Sequence, residues 1–404
     1  MYICRLNIRL SLVWLILLSA VSVWGQSNEE KAVRALENAG FVNIRVAEND
    51  SLFVVTFGNE AYKLQASGIA AAVRILDDEG VLEGKRVKMI ATDNGVPKVT
   101  LTYDPVLGDW KTTYKLDESW KMVRRARKHN GTLGKVDITV YPQVALKNLI
   151  ITQVYQSLWQ LSPSVDIPLW YGARFSYQLK FTLFNDGFGD TEDGIHPGMV
   201  TFSQRFRAPF DIFGKASVGL FSNYRYGANL ELFRPFSFNE NLSLEGSVGV
   251  VGLNYWDKFV LHIDLNSFNT VWSFGANYYW PGAQTQFTLK AQRFLYGDTG
   301  VKFEMMRHFR YCTVGFYAEK GFDKAAHANG GFRFQIALPP YRYKRYKYVP
   351  RVTTGYIGMT YNANNEQEYY LECKYEAGDN IMEHNGYNPA YIRSEIKKLN
   401  DKQY

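Results

Sequence analysis

The stretch Trp272-Ser-Phe-Gly-Ala-Asn-Tyr-Tyr-Trp280 decides the fold. Trp272, Phe274, Ala276, Tyr278 and Trp280 fall on one side of an extended chain, and Ser273, Gly275 and Asn277 on the other. A strand with one apolar face imposes this period of two. The pattern spreads both ways. Before it, Leu242, Leu244, Val248 and Val250 oppose Ser243, Glu245 and Ser247; after it, Phe287, Leu289 and Ala291 oppose Thr288, Lys290 and Gln292. Arg174–Leu183, Val200–Arg207, Lys215–Phe221, Tyr224–Leu232, Val301–Met305 and Phe332–Leu338 repeat it. Such a series predicts about 12 strands, with 10 to 14 open because Lys135–Gln153 and Val352–Tyr375 read either way. Tyr369, Leu371, Cys373 and Tyr375 alternate with Glu368, Tyr370, Glu372 and Lys374, which suggests a closing strand there.

Alternation alone fits a soluble sheet as well as a membrane barrel. A soluble sheet must cover its apolar face, and this half of the chain carries little helical pattern to cover it with. Tyr and Trp also gather at segment ends (Trp170-Tyr171, Tyr224, Tyr255-Trp256, Tyr278 to Trp280, Tyr296), as in the girdles of outer-membrane barrels. Aromatic residues make up 16% of the 404. Mean hydropathy is only −0.25. A wall that shows lipid every second residue combines those two values.

The amino end reads as a secretory signal over 1–25. Arg5 and Arg9 precede the apolar run Leu10–Val23, with Val23 and Gly25 at the −3 and −1 positions of a cleavage before Gln26. That run is shorter than a spanning helix needs. Cys4 lies outside any lipobox, so no lipid anchor is expected there.

Residues 26–133 read as a small α/β domain. Ser27 and Glu30 form a capping box ahead of the stripe Ala32, Val33, Leu36 and Ala39, which ends at Gly40. Strands follow at Val42–Ala47 and Leu52–Phe57, then a helix at Ser67–Asp77 and strands at Arg86–Thr92 and Val99–Tyr103. Asp117–Lys128 suggests a basic helix, either a solvated face or a contact with lipid headgroups or a partner at the barrel rim. The barrel is assigned to 134–376 and a tail to 377–404, where Asn388-Pro389 opens a short helix that caps neighbouring protein.

Little chemistry stands out. The six histidines lack metal-ligand spacing, no nucleophile elbow or phosphate loop occurs, and neither metal nor cofactor is expected. The alternation turns Arg174, Lys180, Arg205, Arg207, Lys215, Arg225, Glu231, Glu245, Lys290, Lys302, Glu304 and Arg333 inward, with Tyr279 and Tyr317. A solvated or salt-bridged lumen needs such residues in any case. A polar surface guiding acidic polysaccharide would use them too. The run from Tyr341 to Tyr348 interleaves rings with Arg342, Lys344, Arg345 and Lys347. In an exported barrel it reads as an interfacial loop on lipid phosphate or glycan, not as a nucleic-acid site. Cys312 and Cys373 survive signal removal, and their pairing stays open.

The segments Gly214–Gly227, Arg293-Phe-Leu-Tyr-Gly-Asp-Thr-Gly-Val301, Val314–Ala318 and Gly330-Gly-Phe-Arg-Phe-Gln-Ile-Ala-Leu-Pro339 resemble YjbH-type exopolysaccharide barrels. Ala35–Val46 is similar to that family's periplasmic module. The resemblance implies a non-enzymatic outer-membrane barrel that assists export or assembly of capsule or exopolysaccharide. It also implies the α/β domain in the periplasm and partners from the same pathway. A small-solute porin and an outer-membrane hydrolase are the competing expectations.

Overall fold

The computed structural model describes residues 27–148, 155–323, 327–363, 370–378 and 380–400. The expected signal segment lies outside them. Two sheets are present, one of five strands and one of fourteen.

The five-stranded sheet runs in chain order: β1 (Val42–Glu48), β2 (Leu52–Gly58), β3 (Arg86–Asp93), β4 (Val96–Asp104) and β5 (Asp109–Thr113). Only β2 and β3 are parallel, and helix α2 (Gln65–Asp78) makes the crossover between them. Helix α1 (Asn28–Ala39) begins where the Ser27 side chain accepts from the Glu30 N–H, and it ends on Gly40 in the left-handed conformation. Both helices cover one face of the sheet. Phe41, Phe53, Phe57, Leu36, Ile69 and Met89 are fully buried between them, each contributing about 1.5–3 kcal/mol of apolar burial. The basic helix is shorter than the sequence suggests. It spans Glu118–Val123 (α3), capped by Asp117, and lays Val123 against Val54 and Ile90 on the opposite face. Strand β5 escapes sequence reading because Trp110 is the single large apolar residue in its five positions.

The second sheet is the barrel wall. Strands β6 (Asp137–Asn148), β7 (Tyr155–Trp170), β8 (Ala173–Asn185), β9 (Ile195–Ala208), β10 (Ile212–Phe221) and β11 (Arg225–Pro235) pair antiparallel in sequence order. So do β12 (Leu242–Asp257), β13 (Val260–Trp280), β14 (Thr285–Arg293), β15 (Thr299–His308), β16 (Cys312–Gly321) and β17 (Asn329–Ala337). Then β18 (Arg351–Thr354) pairs parallel with β6, and β19 (Tyr356–Asn362) pairs antiparallel with β17. These last two are halves of one run joined at Gly355, whose N–H donates to the Val140 carbonyl at 2.7 Å. The sheet therefore closes on itself. The number of passes is odd, so the seam is parallel.

The fold class agrees with the sequence, but fourteen strands exceed the expected twelve. The ambiguous ends supply the difference, since residues 137–148 and 351–362 are all wall. The closing strand proposed near Tyr369–Tyr375 is not one. Leu371–Tyr375 is irregular and lies against Phe221, Val251 and Val271 of the inner face and Leu295 of the connection after β14.

Polarity is inverted relative to a soluble protein. Outward Phe274, Leu289, Val248, Phe316 and Phe303 are exposed. Inward Ser203, Ser217, Thr288, Thr313 and Lys302 are buried. Exposed Trp170, Tyr171, Tyr278 and Trp280 ring one rim, and Tyr155, Trp159 and Tyr255 lie toward the other. An apolar band between two aromatic girdles is a surface built for lipid.

Candidate functional site

The α/β domain is fixed to one rim, here the near rim. The β3–β4 turn carries Asn94 and Gly95 at positive φ. It presents the Asn94 amide to the carbonyls of Trp170 (3.1 Å) and Ala173 (2.7 Å). The Lys63 ammonium donates to the carbonyls of Leu338, Thr354 and Gly355 at the seam. Glu240, between β11 and β12, accepts from Thr113 and from the Tyr114 N–H.

After β19 the chain has reached the far rim, yet helix α4 (Pro389–Asn400) packs Ile392 and Ile396 into the α/β core beside α2. The Asn388 side chain caps that helix by accepting from the N–H groups of Ala390 and Tyr391. Between the two ends, the described residues of 370–388 run back through the lumen. Their contacts descend from far to near. Tyr370 meets Phe294 edge-on, and Leu371 O accepts from Leu295 N–H at 3.1 Å. Tyr375 packs on Phe221. Met382 N–H donates to Gln335, Asn385 contacts His308 at 2.8 Å, and Lys98 lies over the Tyr387 ring.

The inward charges form two groups around this thread. Near the domain, Arg205 donates from Nη2 to Glu376 (2.6 Å) and pairs through Nε with Asp93 (3.1 Å). Arg174 stands 3.7 Å from Asp93, and Lys215 bridges Glu231 (2.6 Å) and Glu376 (3.7 Å). Toward the far rim, Lys290 pairs with Glu245 (2.9 Å) and Glu304 (3.8 Å). Arg333 pairs with Glu304 (3.0 Å), while Lys302 contacts Glu304, Glu319 and Glu372. Gln292 also donates to Glu372, at 2.9 Å.

Three of the twelve sequence candidates stand apart from these groups. Lys180 pairs with Glu192 of the β8–β9 connection at 3.3 Å. Arg225 lies 5.5 Å from the Tyr296 ring centre. Arg207 leaves the lumen at the near rim, donating to the Pro97 and Tyr114 carbonyls and to Asp211. Sequence reading missed the partners Glu372, Glu376 and Asp93, because the thread mimics strand alternation and Asp93 belongs to the other sheet. Tyr279 and Tyr317 are both buried at the inner wall, and Tyr317 is approached by Lys302 and Arg333 at 5.5 and 5.2 Å.

Burial would raise the Asp93 carboxyl, yet Arg205, Lys98 and Arg174 hold it down at about 2. Burial lowers the neighbouring Lys98 to about 8, against the pull of Asp93. The domain thus contributes a fixed negative charge to the mouth of the lumen.

The basic run does not sit as one patch. Arg345 turns inward to Asp137 and to the Val136 carbonyl (2.7 Å), with Glu60 at 3.6 Å, and ties domain to wall. Arg342 lies over Tyr62, Lys344 passes close to Gly40, and Lys347 flanks exposed Tyr346. Cys312 and Cys373 are free thiols. Among the described residues no group of His, Cys, Asp and Glu is arranged to hold a metal, and no helix is long and apolar enough to cross a membrane.

The thread leaves a cavity of about 1070 Å³ lined by Lys215, Lys290, Lys302, Arg333, Tyr279 and Tyr317 among others. Such a space presents cations, carboxylates and aromatic faces to a hydrated ligand.

No protein-family model matches the chain, and no curated protein matches it in sequence. Among solved structures, a double mutant of the Rh. blastica porin aligns with 11% identity and a TM-score of 0.26. The alignment covers 51% of this chain and 89% of that one, a likeness too loose to bear on function.

Proposed function

We propose that the chain is a non-enzymatic outer-membrane barrel that assists export or assembly of capsule or exopolysaccharide, with its α/β domain in the periplasm. The observation that carries this reading is a lumen lined with charge but occupied by the chain's own described residues of 370–388. A general diffusion channel works with an open bore. A barrel engaged in a dedicated pathway can remain closed until its cargo or partner arrives. The resemblance to YjbH-type barrels supports the same pathway, and the near-rim domain offers a surface for periplasmic partners. Deleting the gene and measuring surface polysaccharide tests it. Loss restored by the full chain is expected, whereas unchanged polysaccharide overturns the proposal.

A small-solute channel is the second reading, favoured by the residual 1070 Å³ cavity. Large, stable openings of the purified chain in planar bilayers would support it over the first.

A further inference from the structure

We infer that the inner wall is a binding path for a polyanionic, carboxylate-bearing glycan strand, and that Glu372 and Glu376 occupy its two cationic stations as a built-in substitute. The inference rests on the proposed polysaccharide role and names the ligand class for it.

The two carboxylates are placed as ligands would be. Glu372 reaches Lys302 and Gln292, next to Arg333 and Lys290; Glu376 reaches Arg205, with Lys215 at 3.7 Å. They lie four positions apart, so their Cα atoms are no more than roughly 14 Å apart along an extended chain. The cations are desolvated: the side chain of Lys302 is 2% exposed and that of Arg205 is 11% exposed. Without the thread carboxylates, Lys302 would keep only the longer contacts to Glu304 and Glu319, both at 3.6 Å, and Arg205 only Asp93 at 3.1 Å, which leaves room on each cation for another anion. Arg205 Nη1 and Arg333 Nε have no hydrogen-bond partner, so each guanidinium keeps a donor in reserve.

The rest of the thread is held mainly by side chains, with Tyr370, Tyr375 and Met382 buried against the wall. Its main-chain bonds to its surroundings are scattered, such as Leu295 N–H to Leu371 O and Ser222 N–H to Lys374 O, and it joins no sheet. A strand bearing carboxylates could replace Glu372 and Glu376 like for like, leaving the wall's charge balance intact. Tyr317, beside Lys302 and Arg333, lines the same cavity.

The test uses the full chain in detergent, oligogalacturonate as the probe, and maltohexaose as an uncharged control. Glu372→Gln with Glu376→Gln should bind oligogalacturonate at least tenfold more tightly than the unaltered chain, with no gain for maltohexaose. Adding Arg205→Gln and Lys302→Gln should remove that gain. Equal affinity with and without the two Glu substitutions, in protein whose gel migration remains heat-modifiable, would overturn the inference. Equal preference for maltohexaose would do the same. A second measurement avoids substitutions in the stations. Cys373 lies in the thread, so in a Cys312→Ser chain oligogalacturonate should raise its alkylation rate several-fold. An unchanged rate overturns displacement even if the Gln variants do not fold. These outcomes are separable from the cellular proposal, because intact surface polysaccharide after gene deletion would sink that reading and leave probe binding untouched.

Discussion

Leu289→Arg tests the physical claim beneath the fold. Leu289 sits midway along β14, facing outward between Ala276 on β13 and Phe303 on β15, and it is 59% exposed. If that exposure is to lipid, an arginine at mid-band costs about 2–4 kcal/mol. At about 3 kcal/mol, the folded-to-unfolded ratio falls roughly a hundredfold, since 1.4 kcal/mol is a factor of ten. If the exposure were to water, the same change would stay within about 0.5 kcal/mol, as surface substitutions do. The two cases differ by far more than the error of a urea titration. The assay refolds the chain into lipid vesicles across a urea series and scores the compact, heat-modifiable band. Val106→Lys, at a position 90% exposed in the α/β domain, is the control expected to change nothing. A Leu289→Arg chain as stable as that control would refute the lipid-facing wall.

Three further outcomes follow from the geometry. Gly355→Val should abolish the compact band, because a Cβ there would come 2.2 Å from the Tyr141 ring and force the seam open. Asp93→Asn should lower stability at neutral pH by about 2 kcal/mol, the linkage value of a carboxyl held near 2 instead of 3.8. Its folded pKa is depressed, so the advantage of the unaltered chain should be complete above about pH 4. It should vanish as pH falls through 2, which urea midpoints across that range would show. Arg345→Met should loosen the domain from the wall by leaving Glu60 and Asp137 short of a cation; faster proteolysis of residues 27–133 with an intact barrel band is the expected readout.

Much of this architecture was legible in the residues. A period of two survives in β8, β12, β13 and β14 because each wall position sees either lipid or lumen, and those environments select different side chains. The Ser27 cap and the stripe ending at Gly40 were equally plain, since helix ends demand specific chemistry. The thread was not legible. Leu371, Cys373 and Tyr375 meet apolar groups of the inner wall while Glu372 and Glu376 meet its cations, so a segment inside the barrel inherits the alternation of a segment in its wall. Nor could spacing reveal that Asp93, far earlier in the chain, would face Arg174 and Arg205. That meeting depends on how the two sheets dock, which no local pattern encodes.

The parallel seam has a topological consequence. A wall with an even number of passes returns its chain to the side on which it entered. Here the odd count strands the polypeptide on the opposite side, and the shortest way home for the final helix is through the hole in the middle. Encirclement of the tail and completion of the cylinder are therefore linked events during biogenesis. Either the last strands wrap around a tail already in place, or the helix is pulled through a finished ring. The first order asks nothing of the closed wall and lets helix docking on the domain act as the template around which the cylinder shuts.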